Sequence, residues 1–154
     1  MTEKEKLRKA IKARIAALTR EECLSASKII ADKLFMLKEY REAKVLFVYN
    51  SFGCEVITDA IIMNALNSDK KVCVPSVEGE RMQAVVIDKK TSYRANVWGI
   101  MEPLSEVILD PYEIELSLIP LVGFDKNLNR LGRGKGYYDK FLAGLPTRKI
   151  ALAY

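Results

Sequence analysis

Three short apolar runs, Val45–Tyr49, Val72–Val74 and Leu116–Leu121, constrain this chain more than any other feature. They are too short for helices, and they lack the strict apolar–polar alternation of a strand covered on one face only. Runs of this kind fit strands buried on both faces, as in a parallel sheet with helices on either side.

Helical spacing fills the intervals. Leu7, Ile11, Ile15 and Leu18, with Ala10 beside them, recur at helical period, while Lys4, Lys6, Arg8, Lys9, Lys12 and Arg14 take the other faces. Thr19-Arg20-Glu21-Glu22 matches the Thr-x-x-Glu capping box and starts a second helix with Ile30, Leu34 and Leu37 on its apolar face. Asn50 to Val56 is polar, contains Gly53 and reads as a loop. Thr58 is placed to cap a helix carrying Ile61, Ile62, Ala65 and Leu66. Pro75 ends the Val72–Val74 strand. Met82–Ile87 and Ile150–Tyr154 read as further strands, Trp98–Pro103 as an ordered loop and Tyr137–Leu142 as a short helix. Helices alternating with strands predict one α/β layered domain over residues 1–154, with a mostly parallel sheet behind two N-terminal helices.

Composition removes several kinds of chemistry. The chain of 154 residues contains no histidine, so Ser-His and Cys-His nucleophilic pairs and His-ligated metals are excluded. Cys23, Cys54 and Cys73 are not spaced as a metal or disulfide framework and read as small buried apolar residues in a reducing compartment. No apolar run approaches the ~18 residues of a membrane span, and the charged N-terminus leads into no signal region. The expectation is a cytoplasmic protein with no membrane partner. A net charge of +5 suits an anionic partner, although a solvated basic surface suits it too.

The segment richest in chemistry is Arg130-Leu131-Gly132-Arg133-Gly134-Lys135-Gly136-Tyr137-Tyr138-Asp139. Alternating glycines let backbone amides approach a ligand, and three cations are interleaved with them. A strand, this loop and a helix start form a candidate anion cradle. It is not a P-loop, because Gly136 follows Lys135 where Ser or Thr would stand. Asp139 is placed either as a magnesium ligand or as an anion at the start of a helix. Glu55, an acceptor-only carboxylate, can take hydrogen bonds from a heterocycle. Trp98 can stack on a flat ligand or serve packing alone.

Together these residues resemble the 5-formyltetrahydrofolate cyclo-ligase family. The resemblance runs through Lys4-x-x-Leu7-Arg8, Glu55-Val56-Ile57-Thr58, Val72-Cys73-Val74-Pro75, Trp98-Gly99-Ile100-Met101-Glu102-Pro103, Ile119–Asp125 and, most specifically, Arg130–Asp139. It implies a Rossmann-like core and an ATP-dependent, magnesium-assisted closure of 5-formyltetrahydrofolate to 5,10-methenyltetrahydrofolate. The resemblance would place Lys4, Arg8, Arg130, Leu131, Gly132, Arg133, Gly134, Lys135, Gly136, Tyr137 and Tyr138 on ATP. It would place Asn50, Glu55 and Trp98, with Arg133 to Tyr137, on the folate, and Asp139 on Mg²⁺. Arg133, Lys135 and Tyr137 would carry the chemistry. Family members continue beyond the equivalent of Tyr154 with an acidic segment and a strand. Either the chain is cut short of that part or this member lacks it; if it is truly lacking, an exposed sheet edge and weaker metal affinity are expected.

The expected partners are these two small molecules, acting on a monomer. One rival reading is a nucleic-acid module, which the loop serves poorly, since Tyr137 and Tyr138 are its only aromatics for base stacking. Another is a phosphate-ligand enzyme working without ATP, such as a sugar-phosphate isomerase.

Overall fold

A computed structural model describes residues 1–154. Helices α1 (Glu3–Ala16), α2 (Arg20–Met36) and α3 (Lys38–Glu42) come first. Strand β1 (Val45–Val48), helix α4 (Asp59–Asn67) and strand β2 (Lys71–Glu78) make a parallel crossover unit, and β3 (Arg81–Ile87) returns antiparallel to β2. A small hairpin, β4 (Tyr93–Ala95) and β5 (Met101–Pro103), precedes β6 (Ile108–Leu109) and a single 3-10 turn at Pro111–Glu113. Strand β7 (Leu116–Pro120) leads into a second hairpin, β8 (Gly123–Phe124) and β9 (Arg130–Leu131). Helix α5 (Tyr137–Leu142) and strand β10 (Arg148–Leu152) follow.

The main sheet has the order β10-β7-β1-β2-β3-β6. The first four strands are parallel; β3 runs antiparallel to β2, and β6 antiparallel to β3. This is the mixed α/β architecture expected from the sequence. The apolar runs are continuous because both faces are covered. Leu46 and Val48 of β1 join Val72, Val74, Leu116 and Leu118 under Ala31 and Leu34 of α2 and Ile61 and Ala65 of α4. Phe47, between Leu46 and Val48, points the other way, to Cys73, Ala84, Leu109 and Ile114, with Phe141 of α5 against them. At roughly 1.5–3 kcal/mol for each large side chain fully buried, these two clusters supply most of the drive to fold.

Several local expectations change. Thr58 does not cap α4 with its side chain; its hydroxyl donates to Tyr49 O at 2.8 Å and ties the helix start to the end of β1. Strand β2 runs through Pro75 to Glu78. Pairing of β2 with β1 stops at Cys73, so Pro75 lies where that side of β2 has no neighbour and the missing N–H breaks no parallel ladder. The Trp98–Pro103 segment is no isolated loop: β5 pairs with β4, and Trp98 sits in the turn between them. The last strand starts at Arg148 rather than Ile150 and ends at Leu152. Of the cysteines, Cys73 is buried and its thiol is pushed up to about 12 by desolvation. Cys54 is exposed and Cys23 half-buried, contrary to the expectation for all three. No helix is long and apolar enough to cross a membrane.

Candidate active site

Strand β1 has β2 on one side and β7 on the other, so the chain leaves its carboxyl end toward both. In a parallel α/β sheet, this switch point opens a crevice beyond the strand ends. Here it holds a cavity of about 640 Å³. The loop after β1 supplies Asn50, Phe52, Cys54 and Glu55. The chain after β7 supplies Pro120, Leu121 and Val122, then Arg130 to Asp139. Helix α1 closes the top with Lys4, Arg8, Lys12 and Ile15, and the β4–β5 turn adds Asn96, Trp98 and Ile100.

The Gly-rich segment Arg130–Gly136 crosses this cavity as a strap and is fastened on several sides. Arg8 Nε donates to Gly132 O at 2.7 Å. Arg133 forms an ion pair with Glu55 at 2.9 Å and donates to Phe52 O at 3.1 Å. Lys135 Nζ lies 3.8 Å from the centre of the Trp98 ring, a cation–π contact. Tyr137 donates its hydroxyl to Gly79 O, in the β2–β3 turn, at 3.2 Å. Glycine is required where the strap meets α1. Gly134 has φ +111°, and a Cβ there would stand 3.5 Å from the Arg8 guanidinium carbon. At Gly123 a Cβ would lie 2.7 Å from Ile11 Cδ1, so a side chain there would force the tip of Ile11 to move.

Two charged groups lie deeper. The Glu55 side chain is 12% exposed. Burial raises its carboxyl above the ordinary range, and Arg133 and the Phe52 N–H oppose that shift. Arg130 donates from Nε to Pro120 O at 2.6 Å, lays its guanidinium 5.4 Å from the Tyr138 ring centre and reaches Asp139 at 3.4 Å. The cavity is thus cationic along the strap and α1, anionic only at Glu55 and Asp139, and aromatic at Phe52, Trp98, Tyr137 and Tyr138. Such a cavity suits a flat heterocycle and a polyphosphate held together.

The family model for 5-formyltetrahydrofolate cyclo-ligases matches residues 1–154. The chain belongs to the 5-formyltetrahydrofolate cyclo-ligase family. Its mouse relative of that name is 31% identical over 145 residues, covering 88% of this chain and 71% of the relative. The Haemophilus influenzae cyclo-ligase is 31% identical over 152 residues, covering 94% of this chain and 80% of the relative. The solved structure of Aquifex aeolicus 5,10-methenyltetrahydrofolate synthetase superposes with a TM-score of 0.89 at 29% identity, over 99% of this chain and 78% of that one. The synthetase from Mycoplasma pneumoniae gives 0.76 at 29% identity, over 99% and 86%.

All the cyclo-ligase site residues expected from the sequence line this one cavity: Lys4, Arg8, Asn50, Glu55, Trp98 and Arg130 to Asp139. Their settings differ. Asn50 donates to Met101 O at 3.1 Å and so holds the β4–β5 hairpin to the β1 loop. Asp139 is 78% exposed at the cavity edge. Sequence reasoning missed Lys12, Phe52 and Cys54. The signal for Lys12 was present, since Lys4, Arg8 and Lys12 recur every four residues and share one face of α1. Phe52 and Cys54 carried no such signal; they reach the cavity only because the loop after β1 turns back at Gly53, where φ is +59°.

Proposed function

We propose that this chain performs the cyclo-ligase reaction, converting 5-formyltetrahydrofolate and ATP to 5,10-methenyltetrahydrofolate, ADP and phosphate. The observation that carries the reading is the strap Arg130–Gly136, which sets Arg133 against the buried Glu55 carboxylate and the Phe52 ring, and Lys135 over the Trp98 ring. The formyl oxygen is a poor leaving group. Transfer of the γ-phosphoryl group to that oxygen releases ADP and leaves an electrophilic iminium carbon. The substrate's own N10 attacks that carbon, and the C–O bond breaks with its electrons going to phosphate. N10 gives up its proton and the five-membered ring is closed.

Phosphoryl transfer depends on positioning and charge stabilisation rather than a protein nucleophile. A chain without histidine can supply both. Lys4, Arg8 and Lys12 line one side of the phosphate path, and Arg133 and Lys135 the other. Tyr137, fixed by its bond to Gly79 O, keeps the strap at the correct height. Glu55 accepts N–H groups of the pterin. Arg133 is held by Glu55 until a phosphate arrives, and Glu55 is then free to bind the heterocycle.

No group of three metal-ligating side chains gathers in the protein, so a magnesium ion here would depend on Asp139 together with substrate phosphates. Asp139 is a single exposed carboxylate beside the strap, and Mg²⁺ is commonly held by one or two carboxylates together with substrate phosphates and water. Bound there, the ion would neutralise developing phosphate charge. Asp139 also contacts the largely buried Arg130 at 3.4 Å, so a metal there would share the carboxylate with that guanidinium.

The test is an absorbance assay. Protein, Mg-ATP and 5-formyltetrahydrofolate are mixed, and the near-ultraviolet band of the conjugated methenyl product is followed. An ATP-dependent rise supports the reading; a flat trace from folded protein overturns it. Arg133→Ala should lower the rate at least tenfold, about 1.4 kcal/mol of transition-state stabilisation. Unchanged turnover in that variant would remove the strap from the chemistry.

A further inference from the structure

One wall of the cavity lies outside the main sheet. The turn carrying Trp98 joins β4 and β5, which form a separate sheet of two strands, each three residues long. A lone hairpin of this size is marginal in water. Burial does not fix the tryptophan either, since Trp98 is 47% exposed. The turn is built around Asn96. Its Oδ1 accepts the N–H groups of Trp98 at 2.9 Å and Ile100 at 3.0 Å, and its own backbone N–H donates to Ile100 O at 2.9 Å. With Oδ1 so engaged, Nδ2 turns the other way and donates to Glu102 Oε1 at 3.3 Å.

Glu102 ties this arrangement to the main sheet. The same Oε1 accepts the Val77 N–H at 3.1 Å. Val77 lies in the part of β2 that runs on after its pairing with β1 stops at Cys73, and its N–H is taken by a side chain. Glu102 is half-buried and does not line the cavity. A second fastening, from Asn50 to Met101 O at 3.1 Å, holds β5 to the β1 loop without reaching the turn. On the cavity side, Lys135 Nζ stands 3.8 Å from the Trp98 ring centre. A chain of contacts therefore runs from β2 through Glu102, Asn96 and Trp98 to the strap.

We propose that Glu102 is a positioning residue for the cavity: by accepting from Val77 and Asn96 it locks the β4–β5 turn where the Trp98 ring meets Lys135. It touches no substrate and acts through Asn96 and Trp98. Both of its bonds come from uncharged N–H groups, so its acceptor oxygen matters and its charge does not. The kinetic consequence rests on the cyclo-ligase reading, whereas the placement of Trp98 holds whichever reaction the site performs.

Trp98 is the only tryptophan, so its fluorescence reports the turn directly. Wild type, Glu102→Ala and Glu102→Gln are compared by acrylamide quenching of that fluorescence, by thermal melting and by steady-state kinetics. In folded Glu102→Ala, quenching should rise and kcat/KM should fall about tenfold, within the ~100-fold that a 1 Å misplacement at a site can cost. Glu102→Gln keeps the acceptor oxygen and should restore both. In a Trp98→Ala background, Glu102→Ala should add no further kinetic loss, because it acts through that ring. Wild-type quenching in Glu102→Ala overturns the proposal, and so does a full additional loss in the Trp98→Ala background. A lowered melting temperature without these changes overturns it too, since Glu102 would then serve stability alone. If Glu102→Ala does not fold, Asn96→Asp takes its place: it keeps the oxygen that holds the turn and removes the donor to Glu102, and wild-type quenching there overturns the proposal. If wild type makes no product, the cyclo-ligase reading falls, and the quenching comparison still decides whether Glu102 sets Trp98.

Discussion

Helix α1 starts at Thr2 and α2 at Thr19 with the same arrangement. The threonine hydroxyl accepts the N–H of Glu5 or Glu22, and that glutamate accepts the threonine's own N–H. Both are long, and both carry apolar residues at helical spacing. Yet α2 buries Ser27, Ala31 and Leu34 under the sheet, whereas α1 buries no residue at all. Leu7 of α1 is 53% exposed and Leu34 of α2 is 3% exposed. What α1 offers the molecule is its Lys4, Arg8, Lys12 and Ile15 side, laid over the cavity and fastened by the bond from Arg8 to Gly132 O. The same cap thus begins a structural helix in one case and a wall of the ligand site in the other. Capping fixes where a helix begins; its face decides what it is for.

The contrast is testable. Leu34→Ala should destabilise the protein by about 3 kcal/mol, within the range for a leucine removed from a packed core. Leu7→Ala should change stability by less than about 0.5 kcal/mol, as an exposed position does. Equal losses in chemical denaturation would erase the distinction between the helices. Arg8→Ala should raise KM for ATP about tenfold with little change in melting temperature. A melting shift without a kinetic effect would make α1 structural after all. Removing the caps should give a smaller difference: Thr19→Ala costs about 1 kcal/mol, and Thr2→Ala less, because α1 frays without exposing a core. Equal costs in urea titrations would show that α1 folds in concert with the sheet.

The smallest effect concerns pH at the wall facing α1. Burial raises the Glu55 pKa in the folded state. The folded protein therefore binds more protons than the unfolded chain between the ordinary carboxylate value of 4.5 and the raised folded value. Stability falls as pH rises through that window. Glu55→Gln lacks this group, so its stability should decline less over the same interval, measured as the difference between two denaturation-versus-pH curves. Parallel curves would mean that Arg133 fully offsets the burial of Glu55.

Much of the site was legible in the chain. The strap was found from its glycines and cations, Glu55 and Trp98 as candidates from their own chemistry, and Asn50 from resemblance; all of them line one cavity. The settings were not legible. Nothing local to Glu55 announces Arg133 as its partner, and nothing local to Trp98 announces Lys135 above its ring. The Trp98 segment was expected as a loop because β4 and β5 are each only three residues long, too short for a period to show.

The sequence by itself determined the layered architecture, the two cap sites and the chemical character of the strap. Periodicity, capping and glycine content act between residues close in the chain, so they can be read without a structure. Only the tertiary structure decided that α1 lies over the cavity and that Arg133 pairs with Glu55. Those outcomes depend on β7 lying next to β1 in the sheet, which sets the strap against the β1 loop. Strand order is chosen by how the two covered faces pack as a whole, and no local pattern records it.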